Sequence, residues 1–197
     1  MLNYLSKLSL LSVVVALSLF FFLGCATTGD APEPDLTAEE VTKLDADAKA
    51  TKDKLLSDTD GVEEAFASAK GILTCPAISK GGFIIGVESG KCVLTSDGSK
   101  NLYYGTSTLK GGLLAGYAKY SMILLLNTDE ALAKFAKEDK EWELGADASV
   151  AVIQKGASGA INTTNLKKEF VTFIFGEEGF MGDVSFQGSR FKKLIVE

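Results

Sequence analysis

One block of eight residues, Lys80-Gly81-Gly82-Phe83-Ile84-Ile85-Gly86-Val87, returns thirty positions later as Lys110-Gly111-Gly112-Leu113-Leu114-Ala115-Gly116-Tyr117. Glycine inside an apolar, period-two run gives up side-chain packing and conformational entropy, so it needs a local reason to be there. The likeness runs on, since Cys92-Val93-Leu94 aligns with Met122-Ile123-Leu124 at the same offset. The unit reads as strand, tight turn, strand, used twice, and predicts two similar hairpins. Glycines at matching points of two such units favour fold geometry, the bulges and corners of a barrel-like sheet, over a ligand surface.

Further alternating segments follow at 145–152, 170–175, 180–186 and 190–196. Three short helices frame them. Thr37-Ala38-Glu39-Glu40 reads as a capping box opening a helix that runs to about Ser57, with Val41, Leu44, Ala48, Leu55 and Leu56 as its apolar stripe. A second helix starts near Asp60 and turns Val62, Ala65, Phe66 and Ala69 inward; a third follows Asn127-Thr128 and buries Leu132 and Phe135. At least seven strand segments against three short helices predict the α+β class: a curved or barrel-like antiparallel β-sheet with N-terminal helices and one further short helix.

Ahead of this body, residues 8–23 are uncharged and run straight into Gly24-Cys25-Ala26. A short positive start, an apolar core and small residues at the cut make a secretory signal, and a cysteine at the cut makes it a lipoprotein signal. The alternative is an uncleaved membrane anchor, because the run borders on the roughly 20 residues that span a bilayer. The polar stretch Thr27-Thr28-Gly29-Asp30-Ala31-Pro32 favours the lipoprotein reading. The expected organisation is a signal over 1–24, a tether over 25–36, an N-terminal helix over 37–59 and the main domain over 60–197. Cys25 is the expected lipidation site and the contact with a membrane; Ala26, in place of an acidic residue, favours the outer membrane, facing the periplasm.

Charge is unevenly spread. Residues 30–64 hold 12 acids and 4 bases, whereas residues 65–197 carry a formal charge of +1. Such a body has no field to draw in nucleic acid. The chain has no histidine, which removes the commonest general base and the commonest transition-metal ligand. No phosphate-binding glycine motif is present, and pairs such as Glu39-Glu40, Glu63-Glu64 and Glu177-Glu178 point apart on any regular element. The expectation is a protein that is not an enzyme and needs no metal or cofactor. Once Cys25 is acylated, Cys75 and Cys92 remain. They either close a disulfide, worth roughly 3 kcal/mol for a loop of this length, or lie as two small buried thiols; spacing alone does not choose.

Read in order, Ala69-Lys70-Gly71-Ile72-Leu73-Thr74-Cys75-Pro76, Lys80-Gly81-Gly82-Phe83, Gly111-Gly112, Leu124-Leu125-Leu126-Asn127, Gly145-Ala146-Asp147-Ala148-Ser149-Val150-Ala151 and Gly179-Phe180-Met181-Gly182-Asp183-Val184-Ser185-Phe186-Gln187-Gly188-Ser189 resemble the landmarks of the SYLF domain over about residues 62–190. The resemblance implies lipid binding. Eukaryotic SYLF proteins bind phosphoinositide membranes and some bind actin, whereas bacterial members are often lipoproteins, which fits the signal here. The chain departs from the pattern at Lys119-Tyr120-Ser121 and Thr74-Cys75-Pro76, and the near-neutral body lacks a basic phosphoinositide cluster.

The candidate lipid-facing residues are the densest bases, Lys167, Lys168, Arg190, Lys192 and Lys193, and the apolar loop residues Phe180 and Met181. Phospholipid head groups or acyl chains are the expected ligands. The competing expectation is an envelope scaffold that meets a protein partner through its sheet edges and glycine-rich faces.

Overall fold

The computed structural model describes residues 35–82, 85–111, 116–137, 141–143, 149–154, 163–179 and 189–197. All of them lie in the compact unit Pro34–Glu197. Among the described residues the helices are α1 (Ala38–Asp58), α2 (Glu63–Ser68), α3 (Asp129–Ala136) and the single turn α4 (Thr163–Leu166). The strands are β1 (Gly71–Gly82), β2 (Ile85–Thr95), β3 (Leu102–Gly111), β4 (Gly116–Leu126), β5 (Trp142–Glu143), β6 (Val150–Gln154), β7 (Phe170–Gly179) and β8 (Arg190–Lys193).

These strands form one curled, half-barrel sheet in the order β5-β8-β3-β2-β1-β4-β7-β6. Every pairing is antiparallel except β6 with β7. The α+β class and the curved sheet are as the sequence predicts, with one parallel edge strand added. The repeated glycine block corrects the expectation of two hairpins. Its first copy closes the hairpin β1–β2, but β3 and β4 pair with β2 and β1, not with each other. Gly111 lies opposite Ile85 and Gly116 opposite Gly82, so β3 ends and β4 begins on either side of the β1–β2 pair at the same end of the sheet. The result is the Greek-key order β4-β1-β2-β3, and both glycine blocks converge on one end of the sheet.

Curl comes from aligned bulges. β1 carries one extra residue around Pro76 relative to both neighbours, and β7 carries one around Gly176 relative to β4. Proline has no N–H for a ladder, so a bulge is where a central strand tolerates it; Ser121 Oγ donates to the Pro76 carbonyl at 2.8 Å. Gly176 has φ +67°, a conformation that glycine adopts without strain. Opposite the β1 bulge, a Cβ on Gly90 would meet the Ala77 carbonyl oxygen at 2.7 Å, so a side chain there would force the backbones apart. Cys75 and Cys92 meet at this bulge and are disulfide-bonded, with Cα atoms 4.1 Å apart.

The sheet is covered on both faces at the end away from the glycines. On its inner face Leu73, Leu94, Leu124, Leu126 and Phe170 pack with Ala131 and Phe135 of α3. Phe135 sits at the centre of an aromatic group, 4.3 Å from the Trp142 ring, 5.4 Å from Phe191 and 5.6 Å from Tyr104. On the outer face Leu55 of α1, Val62 just before α2, and Ala65 and Phe66 of α2 cover Ile123, Leu125, Val171 and Phe173, and α1 also covers Val93 and Tyr103. Strand β4 therefore buries five consecutive apolar residues, Met122 to Leu126, instead of alternating, as strands covered on both faces do. The capping box forms as read: Thr37 accepts from Glu40 N–H, and the Glu40 carboxylate accepts from Thr37 N–H at 3.0 Å. The second helix begins at Glu63 rather than Asp60 and lacks a side-chain cap.

Candidate functional site

Two transverse rows of residues, one on each face, cross the sheet where the glycine blocks meet. Register fixes their members. Lys80 lies opposite Glu88, Glu88 opposite Thr108, and Lys80 also opposite Ala118. This row faces inward and is buried, with Lys80 at 3% exposure and Glu88 at 4%; Thr108 is buried too and donates to Ser189 Oγ at 3.1 Å. One residue further on, Gly81 lies opposite both Val87 and Tyr117, and Val87 opposite Leu109. That row faces outward, with Leu109 74% exposed, Tyr117 56% and Val87 47%.

The usual amphipathic pattern is thus reversed: polar groups point in and apolar groups point out. Inside, the polar row is held by mutual pairing. Tyr120 donates to Glu88 Oε2 at 2.9 Å, and Lys80 Nζ lies 3.8 Å from Glu177 Oε1. Burial, followed by the Glu88 and Glu177 charges, pushes the Tyr120 phenol far above its ordinary range, so it remains a neutral donor. Outside, the Tyr117 ring leans over Gly81, where a Cβ would lie 3.6 Å from it, and Lys119 Nζ stands 6.0 Å from the ring centre. Hydrogen bonding to Ser79, then to Lys119, lowers the Tyr117 phenol below its usual value.

The row inboard of the exposed apolar one is small and polar: Ser79 pairs with Ser89 and Lys119, and Ser89 with Ser107. Strand β8 continues the outer face beside β3. Arg190 lies opposite Ser107 and Lys192 opposite Gly105, both exposed. The outer face of the β3–β8 pair therefore reads Leu109, then Arg190 and Lys192, then Leu194, whose N–H donates to the Tyr103 carbonyl.

Of the bases predicted from sequence, the structure gathers Arg190, Lys192 and Lys193 on β8 and leaves Lys167 and Lys168 apart, exposed between α4 and β7. Arg190 also pairs with Glu143 at 3.3 Å. Lys193 is half-buried and lines a groove. Cys25, Phe180 and Met181 lie outside the described residues, as does the segment expected as a strand at 180–186. Sequence reasoning missed Val87, Leu109 and Tyr117. Their signal was available in strand phase: Tyr103, Gly105, Ser107 and Leu109 share a face, and Leu109 breaks its polarity toward the tip. Among the described residues no cluster of three His, Cys, Asp or Glu is placed to hold a metal, and no helix is long and apolar enough to cross a membrane.

With β3, β4, β7 and β8 in place, the comparison with known families has a structural frame. Residues 107–194 match the Ysc84 family, the SYLF domain. That family is described as Las17-binding protein actin regulator. The Ysc84 segment runs from Ser107 of β3 to Leu194 just past β8, so it includes Leu109, Tyr117 and the bases of β8, while α1, α2 and the β1–β2 hairpin lie before it. No curated protein matches the chain.

Proposed function

We propose that this chain is a non-enzymatic lipoprotein of the bacterial cell envelope, anchored through Cys25, whose SYLF domain binds a phospholipid surface with the glycine-rich end of its sheet. The observation that carries the reading is the reversed polarity there. A sheet that turns Leu109, Val87 and Tyr117 outward while burying Lys80 and Glu88 inward has the pattern that lipid-facing β-structure uses. Transferring each exposed side chain into an acyl environment would add roughly 1 kcal/mol, part of the 1.5–3 kcal/mol for full burial. The aromatic Tyr117 suits the head-group boundary. The lipoprotein signal and the SYLF resemblance support the same reading, and the outer membrane, periplasmic side, is its proposed location.

A second reading takes the same exposed row as a contact for a protein partner, in keeping with the protein-binding description of the Ysc84 family. The two are separated by reconstituting the full chain in phospholipid vesicles with a fluorophore on Leu109→Cys. Quenching by brominated acyl chains and shielding from aqueous iodide are expected for lipid contact. Free access of iodide, with no quenching by brominated lipid, would remove the lipid reading and leave the scaffold.

A further inference from the structure

Helix α1 crosses the outer face between two apolar clusters. Toward its start Val41, Leu44 and Ala48 pack with Val93 and Tyr103, and at its end Leu55 packs with Ile123 and Phe173. Between Leu44 and Leu55 the one buried side chain of the helix is Ala48, whose single methyl leaves the space that a longer side chain would fill. A hollow of about 490 Å³ lies there, between helix and sheet, within the size range of small-molecule sites.

Strand β1 forms the floor of the hollow. Thr74 lies opposite Val93 of one cluster and Ile123 of the other. It lines the hollow at 4% exposure, and its hydroxyl has no hydrogen-bond partner among the described residues. A polar group held this deep among apolar neighbours is costly to leave unpaired.

The charges around the hollow divide into engaged and free. Lys49 pairs with Asp53, Lys52 stands 5.7 Å from the centre of the Phe66 ring, and Asp45 accepts from Tyr103 and Asn101. Lys70 and Asp97, of opposite sign, enter no ion pair among the described residues. Both are exposed at the rim. The register sets them side by side, since Ile72 and Thr95, two residues inside each, lie opposite one another. Backbone bonds fix both positions: Lys70 N–H donates to the Leu126 carbonyl at 2.8 Å, and Ser99 N–H donates to the Ser96 carbonyl at 3.3 Å across the turn that carries Asp97.

We infer that this hollow binds a small zwitterion of amino-acid to dipeptide size. Its carboxylate pairs with Lys70, its ammonium with Asp97, and a polar atom of its body bonds the Thr74 hydroxyl, while Ala48, Ile72 and Val93 meet its aliphatic part. A ligand with one charge alone would leave the other rim charge unmatched, which is the basis of selection. The site stands on the outer face away from Leu109 and does not depend on the lipid-surface reading.

The test is saturation-transfer NMR on the full chain in phosphatidylcholine vesicles, with the common free amino acids and dialanine as probes and protein-free vesicles as the control. Transfer to at least one probe is expected. Its N-acetylated and amidated forms should each bind about threefold more weakly. Lys70→Gln should erase the difference between acid and amide, and Asp97→Asn the difference between free and acetylated amine. Thr74→Val, which keeps the side-chain shape, should weaken binding about fivefold, the worth of one hydrogen bond. Ala48→Leu, which fills the hollow, should abolish transfer; circular dichroism checks that each variant is folded, and Thr74→Val carries the test if Ala48→Leu is not. No transfer to any probe overturns the inference. Transfer that ignores both Ala48→Leu and Thr74→Val overturns the site, and equal binding of the acetylated and amidated forms overturns the zwitterion. None of these outcomes bears on the lipid reading, which the probe at position 109 decides separately.

Discussion

The two ends of this sheet are built from the same strands and obey opposite rules. At the end near α3, inner and outer faces are both apolar and covered, and β4 buries Met122 to Leu126 without interruption. At the glycine end the same strands turn Lys80, Glu88 and Thr108 inward and Leu109, Val87 and Tyr117 outward. The contrast teaches that stability and contact are separated along the strand axis. The covered end supplies apolar burial and aromatic packing. The glycine end gives up side-chain packing and leaves apolar groups for something else to cover.

Substitutions at each end should differ most sharply in stability. Leu124→Ala, fully buried between the inner strands and α3, is expected to lower unfolding free energy by about 3–4 kcal/mol in urea denaturation; a loss below about 1 kcal/mol would show that the covered end does not hold the fold. Replacing Cys75 and Cys92 with alanine, at the boundary between the ends, should cost roughly 3 kcal/mol. Both residues are fully buried, so a reductant should act on the native chain only as fast as it opens.

Alkaline titration sharpens the comparison on the covered side. Tyr104 donates to the Phe135 carbonyl at 2.6 Å, and burial pushes its phenol from 10.0 up to about 12. The folded state holds this proton more tightly than the unfolded chain. The resulting stability is fully present below pH 10 and is lost as pH rises through about 12. Tyr104→Phe should flatten that decline in thermal melts taken across this range.

At the glycine end, Tyr120→Phe removes one donor from the buried Glu88 carboxylate and is expected to cost about 1–2 kcal/mol at neutral pH, an effect that a double-mutant cycle with Glu88→Gln should shrink. The smallest stability effect belongs to Leu109→Ser, within about 0.5 kcal/mol, alongside a clear loss of lipid contact. A large destabilisation by Leu109→Ser would mean that the outer row is part of the core after all, and the comparison would fail.

Much of the fold was legible because local chemistry wrote it. The Thr37–Glu40 capping box, the helix after Thr128, the strand at 170–175 and the curvature implied by glycine are short-range signals, and each appears where the residues place it, while the segment 180–186 lies outside the described residues. The partner of each strand was not legible. Two copies of one block look like two hairpins, yet β3 and β4 are held apart by the pair nested between them, because pairing depends on which long-range register buries Leu124 and Leu126 against Phe135. The bases were also read by density in the sequence. That measure joined Lys167 and Lys168 to the β8 cluster, while the structure keeps them apart.

By itself the sequence determined that an α+β body follows an acidic arm, that it lacks the histidine on which much catalysis rests, and that its strands bend at glycines. Only the tertiary structure decided which face each strand turns to solvent. A strand's period of two sets alternation, but the phase that faces the core follows from the neighbours on both sides. It is that phase which puts Leu109, Val87 and Tyr117 outside and gathers Lys80, Glu88 and Tyr120 within.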